Sequence, residues 1–573
     1  MTNTIAAAPP GFPTDIPISQ ETFKNWDLAI QVEDLWTCQP RNEEDVVTVC
    51  NWAAGAGFQV RPRGIMHTWS PITVAANTAA GAKILLVDTT QSLTSVQVTP
   101  AANGQPPQVW AQTGVTMDVL MVALEAAPGG TGAASGYSFA HIPAPGHLTL
   151  GGVLAINAHG TAIRTPPVDD LDISYGSMSN QILAFTAVVT DSSNPSVYVA
   201  KTFQRTDTDA KAFLTHLGRA FLLNVTLQVV DNYNLRCQSH VDIAASTLFA
   251  EPTSFNPMPQ NSVADFLQQS GRVEVIWFPS FFLLPVPNPW LKVWTNTPEQ
   301  PSSSRAVTSP YNYPFSDNLP LAITDLLKEI LGGKPWLTPA FCMAFSTFTN
   351  AALEGNIPGI QSALDLWGPS KDTMIYVRDT TLRVTANGYA VQMTKSDVQQ
   401  AIADFTQQFQ TLLQQFQFRG KYPINSPLEI RITNLDDPSK IAATGAESPV
   451  ISSLSQDAVA IENGWDVAVW FDVLTVLTDS DSQDAFDFYA QMERWFTTRF
   501  GTAARVMPEW SKGWAYTKAG GPWTDRAYME SIRQAFTTGR ADGNNWAWEA
   551  QTLSKYDSAK LFHAPLLDLM FNG

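Results

Sequence analysis

The sequence predicts an α+β fold in more than one domain, on three observations. The chain has 573 residues, well past the roughly 250 to 300 at which one hydrophobic core stops growing. Capped helix patterns stand among short apolar or alternating runs of strand length. A hydrophobic content of 45% with 11% aromatics supplies a large packed core and argues against disorder.

The elements follow in order. Asn42 can cap a helix whose apolar positions Val46, Val49, Cys50 and Ala53 keep helical spacing, and Gly55 and Gly57 end it. Phe58 to Arg63 reads as a strand that runs into Gly64, and the turn from Arg63 to Ser70 follows. Ile84 to Val87 is a buried strand. Thr116 caps a helix from Met117 to Ala127 that stops at Pro128 and Gly129. Leu148 to Gly160 is glycine-rich, and Val225, Leu227 and Val229 alternate as a half-buried strand before a polar turn at Asp231 and Asn232, with a domain boundary near residue 235. From Val275 to Trp294 the chain is apolar enough to suggest a membrane span, but Pro279, Pro285, Pro287 and Pro289 exclude one. A buried strand with a proline-rich loop is expected there, or an apolar lip for a greasy substrate. Ser396 and Gln399 form a capping-box pattern before a helix that turns Val398, Ile402, Phe405, Phe409, Leu412, Leu413 and Phe416 inward, shows glutamines to solvent and ends at Gly420.

Composition narrows the function. A formal charge of -18 opposes general affinity for nucleic acid or anionic membrane. Cys38, Cys50, Cys237 and Cys342 are widely spaced, with no CxxC pair, and no metal-binding set is assigned. The stretch from Thr2 to Pro13 is not a signal sequence. An acidic, lysine-poor chain suits a secreted enzyme whose signal has been removed, and that address is the expectation.

The turn Arg63, Gly64, Ile65, Met66, His67, Thr68, Trp69, Ser70 sets glycine and hydroxyl side chains directly after a strand, where exposed amides can hold a diphosphate and Arg63 adds charge. Together with Cys38, Gln39, Pro40 and the helix from Asn42, it resembles the start of the FAD domain in the vanillyl-alcohol-oxidase family. Thr149, Leu150, Gly151, Gly152 and then Asn157, Ala158, His159, Gly160 resemble that family's second flavin-contacting stretch. Gly176 to Thr190 and Phe203 to Thr226, with Asp209 and Gly218, resemble the close of the same domain, so the likeness covers about residues 20 to 235. The resemblance implies a PCMH-type FAD domain of two subdomains over residues 1–235, a substrate (cap) domain with a large antiparallel sheet flanked by helices over 236–515, and a C-terminal segment, 516–573, returning to the FAD domain. It also implies FAD bonded through His67 to the flavin 8α carbon, with Val225 among the cofactor contacts. Met66 replaces the motif's second glycine and Thr68 its serine.

In the second half, Leu428 to Ile432 alternates so that Glu429 and Arg431 share one face. Taken alone this is a solvated ion pair; it also resembles the active-site strand of the family's alditol, aldonolactone and covalent cholesterol oxidase branches. Pro508 to Trp514 resembles the stretch whose lysine, here Lys512, faces the flavin N1 and C2 carbonyl. Glu274 and Asp472 lie in strand-like runs, and either acid could face substrate or the core edge. The resemblance implies an FAD oxidase that converts cholesterol and dioxygen to cholest-4-en-3-one and peroxide. Glu429, or Glu274 with it, would take the hydroxyl proton, Arg431 would stabilise negative charge, and Glu429 would move the C4 proton to C6. Transient contact with sterol-bearing membranes is expected. The alternatives are a sugar-alcohol or aldonolactone oxidase, a flavin dehydrogenase that does not use dioxygen, and a sterol carrier.

Overall fold

A computed structural model describes residues 7–281, 287–313, 319–478, 482–501 and 503–572. Two sheets of four and five strands and a two-stranded ribbon lie before Asn234, and a nine-stranded sheet starts there, so the α+β expectation holds. In the four-stranded sheet the order is Ile18–Lys24, Gln31–Cys38, Ile84–Asp88, Gln59–Arg63, with the first pair antiparallel and the others parallel. The antiparallel five-stranded sheet runs Val96–Thr99, Gln108–Gln112, Phe221–Gln228, Ile182–Thr190, Tyr198–Gln204. In the large sheet the strands that matter for the site are adjacent: Asn234–His240, Trp290–Asn296, Val273–Trp277, Leu428–Asn434, Val467–Thr475, Thr385–Met393 and Arg505–Pro508, all antiparallel to their neighbours.

Period-two alternation decides what each face of this sheet does. Ile430 lies opposite Phe471, and that face packs on the helices Val398–Gln417 and Ser482–Phe500, where the ring of Phe405 stands 4.4 Å from Phe471 and 5.7 Å from Phe496. All seven apolar positions expected to face inward on Val398–Gln417 are buried, and Gln407, Gln414 and Gln415 are exposed. The opposite face carries Glu429, Arg431 and Asp472, which register places side by side.

Several local expectations are corrected. Gly55 lies inside the helix Glu43–Ala56, and Gly57, at φ 71°, ends it; Asn42 does cap it, accepting from the Asp45 amide. Thr116 makes no side-chain cap on the helix Met117–Ala126, because its hydroxyl turns to Asp118. Ser396 lies in a 3-10 turn, Lys395–Asp397, bonded to Thr394 at 2.8 Å, while Gln399 reaches the carbonyls of Leu248 and Ala250; tertiary partners outcompete the capping box. Phe221–Gln228 is buried nearly throughout, being a central strand covered on both faces, and Asp231 ends a two-residue strand, Val230–Asp231. The apolar run from Val275 holds the ends of two strands, not one; residues 282–286 of its loop, Pro285 included, lie outside the described residues. Leu148 to Gly160 contains a short helix, Leu150–Ala155.

The C-terminal residues reach the smaller sheets. The Val60 amide donates to Leu561 O at 2.8 Å, and the Arg61 guanidinium donates to the carbonyls of Ile72, Thr73, Gly218 and Phe562. Asp557 accepts from Tyr198 Oη at 2.5 Å and from the amides of Leu561 and Phe562. All four cysteines are buried free thiols. No described helix is long and apolar enough to cross a membrane.

Candidate active site

The strand Gln59–Arg63 ends in a turn whose amides, from Gly64 to Thr68, donate to no acceptor among the described residues. Met66 adopts φ 58°, a left-handed backbone that ordinary side chains rarely take and that recurs at functional sites. Gly64 is required by close approach, since a Cβ there would stand 2.1 Å from Thr149 Oγ1. Thr149 precedes the helix Leu150–Ala155, which carries Gly151 and Gly152. Asn157, at φ 61°, accepts from the Ser453 amide at 2.8 Å while its buried Nδ2 has no partner. An open run of amides, a glycine close approach and an orphaned amide group suit a bound FAD diphosphate and ring. The residues present fit the group.

His67 Nδ1 lies 3.0 Å from His147 Nε2, and its ring stacks on Trp26 at 3.9 Å. Burial first, then His147, Lys512 and Arg383, hold its pKa well below the ordinary value. A neutral imidazole keeps the lone pair a nucleophile needs. Arg63 does not supply free charge to this turn: its Nη1 is 2.5 Å from Glu21 Oε2.

Across from the turn lies a network of three cations and four carboxylates. Arg431 donates from Nε to Glu274 Oε1 at 2.8 Å, from Nη1 to Asp472 Oδ2 at 2.8 Å, and from Nη2 to Glu429. Lys292 is 3.6 Å from Glu274 Oε2, to which Tyr376 Oη also donates. Lys512 bridges Asp472 at 3.3 Å and Glu509 at 3.7 Å. Gly388 leaves room for this pair of acids, because a Cβ there would meet Asp472 Oδ1 at 2.3 Å and Glu509 Oε2 at 2.9 Å.

Environment pushes the carboxyls apart. Burial would raise Glu274, but Lys292, Arg431 and the Tyr376 hydroxyl together hold it below the ordinary value. Burial outweighs Arg431 at Glu429, and its pKa is raised. Burial and then Glu509 push Asp472 up to about 6. Burial takes His159 down to about 3, so it stands neutral, stacked on Trp470 at 3.6 Å. Carboxyls tuned in opposite directions within one site divide naturally between acceptor and proton carrier.

The turn and the network share one cavity of about 420 Å³. Arg63, Gly64, Ile65, Met66, His67, Thr68, Trp69, Thr149, Gly151, Gly152, Asn157, His159, Gly160, Glu274, Glu429, Arg431 and Lys512 all line it. Three expected residues do not. Ser70 bonds Thr68 Oγ1 at 2.8 Å, Val225 sits in the core of a central strand, and Asp472 stands behind Arg431 and Lys512. Ile276, Phe278, Trp290, Trp294 and Phe345 give the cavity an apolar stretch of wall, while Arg61, His141, His216 and Arg272 line it elsewhere.

Sequence reasoning missed His147, Tyr376, Glu509 and Lys292. His147 and Tyr376 carry no local signal, since their partners lie 80 and 102 residues away. Lys292 does carry one: it is a lysine inside an otherwise apolar run.

Residues 234–572 match the family described as cholesterol oxidase, substrate-binding, and residues 36–192 match one described as FAD binding domain. The structure is similar to a solvent-stable cholesterol oxidase, at 42% identity and TM-score 0.91, covering 99% of this chain and 100% of that one. It is also similar to a crystal structure of cholesterol oxidase from B. sterolicum, at 34% identity and TM-score 0.89, with 99% of each chain covered. A histidine-to-alanine mutant of cholesterol oxidase from Brevibacterium sterolicum is 33% identical, with TM-score 0.89 and 99% of each chain covered. No curated protein matches the chain.

Proposed function

The chain belongs to the cholesterol oxidase family, and on that premise we propose how its residues divide the reaction and which finer features accompany it. It is an FAD-dependent oxidase acting on cholesterol. The observation that carries the proposal is that an open amide turn, a carboxylate network and an apolar stretch of wall line one shared cavity.

Bound FAD would supply an acceptor for hydride from the C3 carbon of the sterol and a carrier of its electrons to dioxygen. The open amides from Gly64 to Thr68 would hold the diphosphate, whereas at the start of the helix Leu150–Ala155 the Leu150 and Gly151 amides already donate to Val115 O and Thr113 O. His67, kept neutral, would be the residue to bond the 8α carbon of the flavin. Lys512 supplies positive charge for the reduced ring. Glu274, ionised and facing the cavity, takes the proton of the C3 hydroxyl, while Arg431 stabilises the alkoxide. Once C3 is a ketone, Glu429 removes the acidified C4 proton and returns it to C6, a transfer that a carboxylate of raised pKa favours. The apolar stretch of wall around Ile276, Phe278, Trp290, Trp294 and Phe345 suits a sterol body.

The test is a coupled peroxide assay with cholesterol, xylitol and an aldonolactone, read alongside the conjugated enone of the product. Wild type is expected to act on cholesterol alone; turnover of the polyols only would refute the assignment. Glu429→Gln is expected to oxidise more slowly and to release the unconjugated 5-en-3-one. Unchanged enone release removes Glu429 from the isomerisation. Reoxidation that needs a quinone instead of dioxygen would establish a dehydrogenase. Secretion and transient docking on sterol-bearing membranes complete the reading, supported by the acidic composition and the apolar cavity, and recovery of the enzyme from culture medium tests the first.

A further inference from the structure

Lys292 has no task in the reaction as described, yet its side chain is fully buried. It projects from the strand Trp290–Asn296 directly opposite Glu274 in the antiparallel register. Its Nζ lies 3.6 Å from Glu274 Oε2. The rings of Trp290, Trp294, Tyr313 and Tyr376 surround it at 5.3, 4.7, 5.0 and 2.9 Å. Glu274 lines the cavity and Lys292 does not, so the lysine stands behind the carboxylate, away from substrate.

An ammonium buried this far from water is costly unless something nearby needs its charge. Aromatic faces offset part of that cost and, more usefully, fix where the charge sits. Arg431 alone cannot serve Glu274, because its three nitrogens are divided among Glu274, Glu429 and Asp472. Facing Glu274 are therefore Lys292 from its own strand's neighbour, Arg431 and Glu429 from the other flanking strand, and Tyr376, with Asp472 reached through Arg431; Cys237 and Tyr313 stand on the far side of the lysine.

We propose that Lys292 is a positioning residue for sterol oxidation, a fixed charge behind Glu274 that keeps this carboxylate ionised and aimed at the hydroxyl of the bound alcohol. The proposal rests on the assignment of Glu274 as the oxidation base. The charge of Lys292 opposes the effect of burial on Glu274, as do the charge and hydrogen bond of Arg431 and the hydroxyl of Tyr376.

The experiment is the pH dependence of kcat/KM for cholesterol in holoenzyme, with flavin content and Tm checked for each variant. Without the lysine, burial acts on Glu274 with less opposition, its pKa rises, and the acid limb moves to higher pH. Lys292→Met is expected to shift that limb upward by about one unit or more, a loss of roughly tenfold on the acid side that alkaline pH restores. Lys292→Arg, which keeps the charge, is expected to hold the limb near its wild-type position. A folded, flavin-loaded Lys292→Met enzyme with an unmoved limb overturns the proposal. Should that variant fail to load flavin, Glu274→Gln and the double variant Glu274→Gln/Lys292→Met replace it. Equal residual kcat/KM in the two supports the proposal, and a further drop in the double variant overturns it. Full activity in Glu274→Gln alone would instead refute the base assignment beneath it.

Discussion

His67 shows how much one side chain can depend on its setting. It lies edge to face with Trp69, stacks on Trp26 and meets His147 at 3.0 Å, so its ring is held in place, while burial, then His147, Lys512 and Arg383, depress its pKa. His67→Ala is expected to leave a folded protein whose FAD is released by acid or detergent, whereas the wild-type flavin stays with the denatured chain and fluoresces in the gel band. Extractable FAD in the wild type would refute the covalent bond. The turn around His67 was legible in the sequence because glycine, hydroxyls and a strand end are local signals. Its partner His147 was not, since nothing near either residue announces a contact made through folding. Arg63 was misjudged for the same reason: the Glu21 that takes its charge lies 42 residues earlier.

At the scale of elements, alternation told which residues share a face but not which strands are neighbours. Glu429 and Arg431 could be placed together from spacing alone, while the approach of Glu274 and Asp472 depends on a strand order that sequence does not spell out. A second element contact carries its own prediction. Glu493, on the helix Ser482–Phe500, accepts from the amides of Ala515 at 2.7 Å and Tyr516 at 3.2 Å, and from Tyr389 Oη, anchoring a turn in which Ala515 has φ 54°. Burial raises its pKa from 4.5 to about 8, against the opposing hydrogen bonds from Tyr389 and the Ala515 amide. The folded state therefore keeps a proton that the unfolded chain releases near pH 4.5, and stability falls as pH climbs from there to about 8. The cost at the upper end is on the order of a few kcal/mol. Thermal unfolding of wild type is expected at higher temperature at pH 5 than at pH 8, and Glu493→Gln should flatten that difference. An identical slope in the variant would assign the pH dependence elsewhere.

Over the whole molecule, the two smaller sheets and the large one meet at the cavity, so neither half holds a complete site. The α+β class could be read from capped helices standing among short strands, whereas a cofactor part followed by a substrate part was what the family resemblance implied. The return of the C-terminal segment was implied by the family resemblance alone, because the contacts of residues 557–562, which follow the helix Trp546–Tyr556, carry no local signal. Asp557, buried, accepts four hydrogen bonds that fasten this tail and Tyr198 together, counting Tyr198 Oη, the Leu561 and Phe562 amides and the Lys560 amide on its carbonyl. Asp557→Ala removes the three made by its side chain and is expected to lower stability by about 2 to 4 kcal/mol. Flavin content should fall with it; a variant with unchanged melting temperature and flavin content would show the tail to be dispensable. Arg61 lines the cavity and donates to Phe562 O, 501 residues further along the chain. A ribosome must therefore make nearly all of this polypeptide before that contact can form, and chains truncated ahead of Phe562 are expected to carry less flavin per protein than the full chain.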